Sequence, residues 1–276
     1  FTLKRYQQET LSALERFLRS ARTESVAEAF AEVTGRPVAA YRHYSFGEIP
    51  YACLRLPTGG GKTVLASHAV RVATQQYLED DFPVVLWLVP SNTIRQQTLE
   101  ALKMAGHPYR MELDRHFNYQ VRVFDVDEVT QIRPHDLGSK ALVVVSTIAN
   151  LRVSDTSGRK VYAYHEDFEP HFTRVNPNDS RLERVSEADL SENGLTREAL
   201  GRIKYSFANL LALHKPLVII DEAHNARTRL TFETLHRIHP ACIVELTATP
   251  DVSQTSASNV LYHVSASELK AAEMIK

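Results

Sequence analysis

A doubly wound α/β domain built on a parallel sheet is the fold this sequence predicts, and three observations predict it. Short apolar runs alternate with stretches of helical periodicity along most of the 276 residues. One such run leads directly into three glycines, Gly59-Gly60-Gly61, followed by Lys62-Thr63 and a helix-forming segment. Another ends on two adjacent carboxylates, Asp221-Glu222. The runs are continuous rather than alternating, which is the pattern of strands covered on both faces.

In order along the chain, residues 5–21 place Tyr6, Leu11, Leu14, Phe17, Leu18 and Ala21 near helical spacing, and a second helix at 24–34 is closed by Gly35 and Pro37. Strands are predicted at 52–56, 84–89, 121–124, 142–146, 217–220 and 243–246, and helices at 62–79, 92–105, 196–214 and 228–237. The rhythm breaks between about 150 and 195. That stretch is polar and carries Ser154-Asp155-Thr156-Ser157-Gly158, a good hairpin turn. It reads as a polar surface insertion that leaves the sheet intact and is removable without loss of folding.

Composition narrows the class. Hydrophobic residues make up 43% and charged residues 24%, which excludes collagen-like, mucin-like and wholly disordered chains. Lys plus Arg (32) balance Asp plus Glu (33), so indiscriminate nucleic-acid binding is excluded while a local groove is not. Two cysteines, Cys53 and Cys242, make no disulfide framework. No apolar run reaches the roughly 18–20 residues of a membrane span. The chain starts at Phe1 without an initiator Met or a signal-peptide core, and it reads as a piece of a cytoplasmic protein.

The strongest local signal is Leu56-Pro57-Thr58-Gly59-Gly60-Gly61-Lys62-Thr63. Glycines let backbone N–H groups turn inward around phosphate oxygens, and the N-terminus of the following helix adds partial positive charge. Lys62 can reach the β- and γ-phosphates, and the Thr63 hydroxyl can ligate Mg²⁺. Leu56 stands where the general G-x-x-x-x-G-K-[ST] pattern has its first glycine. The second signal is Leu217-Val218-Ile219-Ile220-Asp221-Glu222-Ala223-His224. Carboxyl ends of strands carry the ligand site in an open α/β sheet. Asp221 is placed to hold Mg²⁺, and Glu222 to orient and deprotonate an attacking water. His165, His171 and His214 show no zinc-ligand spacing, and no nuclease-like arrangement of carboxylates with lysine occurs.

These two segments resemble motifs I and II of superfamily 2 helicases and translocases of the DEAH-box type. Other matches follow in order. Leu3-Lys4-Arg5-Tyr6-Gln7 resembles the adenine-reading Q motif, and Leu88-Val89-Pro90-Ser91-Asn92-Thr93 with Arg95-Gln96 resembles motif Ia. Val145-Ser146-Thr147 resembles a nucleic-acid-contact motif, and Leu246-Thr247-Ala248-Thr249-Pro250 resembles motif III. The Asp221–His224 segment with Asn225 and the tail Val264-Ser265-Ala266-Ser267-Glu268-Leu269-Lys270 look most like the restriction (Res) subunit of type III restriction enzymes.

The resemblance implies a RecA-like P-loop NTPase domain over residues 1–265, with 266–276 starting a linker to a second RecA-like domain. The motif III strand would lie between those of motifs I and II, which would put Cys53 and Cys242 on neighbouring buried strands. Thr58, Gly59, Gly60, Gly61, Lys62 and Thr63 would bind ATP, with Gln7 reading adenine. Thr63 and Asp221 would hold Mg²⁺. Pro90, Ser91, Asn92 and Thr147 would contact nucleic acid, DNA rather than RNA, although simple helix capping is the alternative for each of these loops. Thr247 and Thr249 would couple the two sites through His224. Implied partners are the second motor domain and a modification or nuclease component, with no membrane. A regulatory ATP-binding module and an RNA-directed helicase remain the rival readings.

Overall fold

The computed structural model describes residues 2–151, 161–222, 228–253 and 257–272. Helices α1 (Arg5–Ser20) and α2 (Val26–Thr34) precede strand β1 (Tyr51–Arg55) and helix α3 (Lys62–Gln76). Strand β2 (Val84–Val89), helices α4 (Asn92–Lys103) and α5 (Pro108–His116), and strands β3 (Val121–Asp125) and β4 (Ala141–Thr147) follow. Short helices α6 (Ile148–Leu151), α7 (Glu169–Phe172) and α8 (Glu187–Asn193) lead to α9 (Phe207–His214). Strand β5 (Leu217–Asp221), helix α10 (Arg229–Arg237), strands β6 (Cys242–Thr247) and β7 (Val260–His263), and helix α11 (Ala266–Ala271) complete the order.

The strands form one seven-stranded sheet in the order β3-β4-β2-β5-β6-β1-β7, and every pairing is parallel. This is a RecA-like α/β domain, and β6 lies between β5 and β1 as expected. Alternate residues of each strand serve two cores. Val85, Trp87 and Val89 of β2 pack with side chains of α1, α2 and α3. Leu86 and Leu88 pack on the other face with α9, α10 and the residues after α6. Both faces of β2 are therefore buried, and its sequence is apolar without alternation. Cys53 and Cys242 are buried on adjoining strands and form no disulfide. Cys53 pairs with Glu245, so the two thiols face opposite sides of the sheet.

Three expectations need correction. Residues 196–214 are not one helix. A single 3-10 turn at Arg197–Ala199 is followed by non-helical chain through Gly201, and α9 begins only after Ser206, whose Oγ accepts from the Asn209 amide at 3.2 Å. Gly201 breaks any helix there, and Ser206 is a strong N-cap. Strand β7 and helices α5 and α11 were not foreseen; all three are short.

The third correction concerns the 150–195 insertion, which is not a surface appendage. Val161, Tyr162, Phe168, Phe172 and Leu182 are buried in the second core. Asn209 ties the segment down, accepting from Glu183 N at 2.8 Å and donating to Glu183 O at 2.9 Å and Lys204 O at 2.7 Å. Arg237 of α10 pairs with Glu183 at 2.5 Å, and its guanidinium sits 4.4 Å from the Tyr162 ring centre. The expected hairpin turn at residues 154–158 lies outside the described residues. Residues 266–271, expected to open a linker, form α11, whose Leu269 is fully buried. Among the described residues no helix is long and apolar enough to cross a membrane.

Candidate phosphate-binding site

Register places the chemistry. Leu54 of β1 pairs with Leu246 of β6, Asp221 of β5 pairs with the same Leu246, and Val89 of β2 pairs with Thr147 of β4. The carboxyl ends of five strands therefore bring together the loops that carry the sequence motifs, at the edge where α/β sheets bind ligands. A cleft of about 620 Å³ opens at the opposite, amino edge, lined by Arg22, Tyr77, Lys215 and His239 among others. None of the motif residues lines it, which leaves the carboxyl edge as the candidate site.

The phosphate loop leaves β1 at Leu56. That residue continues the strand, donating its N–H to Thr247 O at 3.0 Å, and it is fully buried. The turn proper starts at Pro57, whose carbonyl accepts from Gly60 N at 3.0 Å. Thr58 and Gly59 are exposed at its tip. Gly61 caps α3 with φ 76°, in the left-handed region that glycine tolerates without penalty, and a side chain there would come within 2.7 Å of the Gln7 amide nitrogen.

Across from the loop, β5 ends at Asp221. The Thr63 hydroxyl donates to Asp221 Oδ2 at 3.0 Å, and Lys62 Nζ sits 2.8 Å from Glu222 Oε1. Lys62 and Asp221 are both buried. Burial pushes the Asp221 carboxyl up to about 6; the Thr63 hydrogen bond and Lys62 pull it down, while the Glu222 charge adds to the rise. Glu222 has φ 57°, a left-handed conformation that costs a non-glycine residue about 1–2 kcal/mol. Strain of this kind clusters at functional sites, and here it falls on a candidate site residue.

Gln7 lies beside the loop. Its side chain is fully buried. Its Oε1 accepts from Lys4 N at 2.9 Å, and its Nε2 lies 3.4 Å from Gly60 O, a long hydrogen bond. These bonds tie the amide to the glycine loop and leave it one further N–H and one further lone pair.

The remaining predicted residues divide. Pro90 closes β2, Ser91 caps α4 by accepting from Ile94 N at 3.3 Å, and both Ser91 and Asn92 are exposed. Thr147 is buried, and its hydroxyl accepts from Asn150 N at 3.2 Å, which is the capping geometry. Thr247 is buried and accepts from Thr249 N at 3.2 Å, while Thr249 is exposed. His224 lies outside the described residues. Arg95, part of the motif Ia resemblance, is buried and bridges Asp125 at 2.5 Å and Asp127 at 3.3 Å.

Sequence reasoning missed two neighbours of the loop. The Tyr6 hydroxyl donates to Gly60 O at 3.0 Å, and Leu269 packs toward Gly60 from α11. A signal for the second was present, because Ser265-x-x-Glu268 is a capping box and announces a helix containing Leu269.

A model of the family described as type III restriction enzyme, res subunit, matches residues 1–252. Among solved structures the chain is similar to the UvsW helicase from bacteriophage T4, at 11% identity and a TM-score of 0.35. That likeness covers 74% of this chain and 48% of the other, so the chain spans about half the length of that structure. Among curated proteins, no sequence matches it significantly.

Proposed function

We propose that this chain, which belongs to the family of type III restriction enzyme Res subunits, is a helicase-type motor domain that hydrolyses ATP and acts on DNA. One observation carries the reading: the Thr63 hydroxyl and the Asp221 carboxylate, 158 residues apart in sequence, meet at 3.0 Å. A hydroxyl that opens the helix after a glycine loop and a carboxylate that ends the strand one removed from β1 are the two protein ligands a nucleotide-bound Mg²⁺ requires.

The residues present fit that group. Thr63 and Asp221 would hold Mg²⁺, which when bound neutralises charge on the β- and γ-phosphate oxygens. Backbone N–H groups of Gly59, Gly61 and Lys62 would cradle the phosphates at the α3 N-terminus, while Gly60, whose N–H closes the turn onto Pro57 O, shapes the loop around them. In the structure described here Lys62 neutralises Glu222. A γ-phosphate competes for the same ammonium, which releases Glu222 to accept a proton from the attacking water. Phosphoryl transfer asks for little else beyond positioning and charge stabilisation.

The transition-state arginine is assigned to a second RecA-like domain, as the superfamily resemblance implies, and such fingers contribute on the order of 10³–10⁵ in rate. The family's description as a restriction enzyme supports DNA as the nucleic acid. The exposed Ser91 and Asn92 at the α4 N-terminus supply phosphate contacts. Modification and nuclease partners belong to the same proposal.

The test is nucleotide binding and phosphate release with two variants. Lys62→Ala weakens ATP binding and turnover together. Glu222→Gln retains binding and loses hydrolysis, because an amide cannot take the water's proton. Hydrolysis by Glu222→Gln at the unsubstituted rate removes Glu222 from the role of base.

A further inference from the structure

The phosphate loop is gripped from outside its own strand–turn–helix unit, and the grip centres on Gly60. From one side, Tyr6 of α1 donates its hydroxyl proton to the Gly60 carbonyl at 3.0 Å. From the other, Leu269 of α11 borders the space beside the Gly60 Cα. A Cβ built there would meet Pro57 O at 3.0 Å, Leu56 Cβ at 3.4 Å and Leu269 Cδ1 at 3.6 Å. Tyr6 is 4% exposed and Leu269 0% exposed, so both contacts are made inside the packed body. The two supports are themselves joined. Tyr262 of β7 donates to Glu9 of α1 at 3.0 Å, and Val264 N bonds to Arg55 O at 2.9 Å just before the loop begins.

Peptide planarity gives this grip a consequence. The Gly60 carbonyl and the Gly61 N–H belong to one trans peptide and point in opposite directions. A Gly-Gly peptide has broad backbone freedom on both sides and can flip at little steric cost. Tyr6 holds the carbonyl toward α1, which aims the Gly61 amide the other way, and Leu269 packs beside Gly60 at the start of that peptide.

We propose that Tyr6 and Leu269 are positioning residues for the nucleotide phosphates: together they lock the Gly60–Gly61 peptide in one orientation, so that α11 is mechanically part of the phosphate site. The proposal rests on the reading of this loop as an ATP site and adds to it two residues that touch no phosphate. It also gives the chain a route by which movement of α11 reaches the nucleotide. Displacing Leu269 unlocks the peptide and weakens phosphate binding.

The experiment uses the full chain with Tyr6→Phe, Leu269→Ala, Leu269→Met and the Lys62→Ala control. Dissociation constants for ADP and a non-hydrolysable ATP analogue are measured beside KM, kcat and thermal stability. Tyr6→Phe removes one hydroxyl and keeps the ring, and its affinity for both nucleotides falls about 5–10-fold, the value of one hydrogen bond. KM rises in step while kcat stays within about twofold, since no reacting atom has changed. Leu269→Ala moves the same way, and Leu269→Met restores binding because it refills the space. Lowered thermal stability with unchanged dissociation constants in Tyr6→Phe and Leu269→Ala shows that the contacts are only structural and overturns the proposal. Failure of the ATP-site reading looks different: the unsubstituted chain and Lys62→Ala then bind nucleotide equally or not at all, and the proposal goes with it.

Discussion

Replacing Asp221 by asparagine stabilises the nucleotide-free protein while disabling it. Asp221 is buried at the end of β5, and its carboxyl titrates at about 6 instead of 3.8, chiefly because burial penalises the charge. A displacement of about two pKa units corresponds to about 3 kcal/mol of differential interaction. The sign follows from the direction. A carboxyl raised on folding is protonated in both states below about pH 4 and contributes nothing there. Between about pH 4 and 6 the folded state holds a proton the unfolded state has released, so stability falls as pH rises. Above about pH 6 the penalty is complete and constant. Asp221→Asn keeps the shape and an oxygen to accept from Thr63 but removes the charge. At pH 7.5 the variant is therefore more stable by about 3 kcal/mol, or roughly 5–10 °C in Tm for a chain of this size. The assay is thermal unfolding of both proteins without nucleotide or divalent cation, from pH 4.5 to 8. The gap in Tm shrinks steadily toward the acid end. A gap that is absent at pH 7.5, or equally large at both ends of the range, refutes the argument that Asp221 is held ionised against its surroundings.

Other outcomes follow from the same geometry. Gln7→Ala weakens ATP and GTP binding together and leaves their ratio within about twofold, measured by competition, because the amide supports the loop; a selective loss of ATP preference instead returns Gln7 to reading the base. Phe168→Ala costs about 3–5 kcal/mol in urea unfolding, since the ring is 1% exposed within the second core; a loss below about 1 kcal/mol returns the insertion to the surface. Replacing residues 154–190 with a Gly/Ser linker, by the same reasoning, abolishes soluble expression, and a folded deletion variant contradicts the buried placement of Tyr162, Phe168 and Phe172. Ser91→Ala with Asn92→Ala lowers duplex DNA affinity uniformly across sequences in an anisotropy titration and leaves nucleotide binding unchanged, because phosphate contacts carry no sequence information; a sequence-dependent effect refutes that assignment.

The sheet was legible because burial on both faces writes itself locally. All six predicted strands occur within a residue at each end, since Val84–Val89 or Leu217–Asp221 needs no distant partner to be recognised as an apolar run. The short β7 was not, because Val260–His263 is a sheet edge with only Leu261 buried, and its register depends on β1. The insertion misled for a different reason. Its composition is polar on average, but burial was decided by a few aromatic and aliphatic residues and by Asn209, which lies beyond the segment and pins its backbone. Averages over a stretch cannot report where five side chains converge.

The site divides along the same line. Lys62, Thr63, Asp221 and Glu222 are legible because each sits at a strand end or helix start with a local signature, and α/β topology gathers strand ends at one edge. Tyr6 and Leu269 lie in recognisable segments, the Leu3–Gln7 motif and the helix opened by the Ser265–Glu268 capping box, but nothing local ties either to Gly60: Tyr6 is 54 residues from the glycine it holds, and only the fold brings them together. That difference reflects two kinds of work. On the proposed reading, local motifs supply the groups that would meet phosphate, metal and water, and distant side chains set which way the loop's peptides face. The nucleotide-free site is also internally balanced, with Lys62 paired to Glu222 and Thr63 to Asp221. On the proposed reading, nucleotide binding would be an exchange, in which phosphates take Lys62 from Glu222 and cation ligation takes Asp221 from Thr63's proton. The net affinity is the difference between two well-satisfied arrangements, so a modest change in how firmly Gly60 is held is enough to move it.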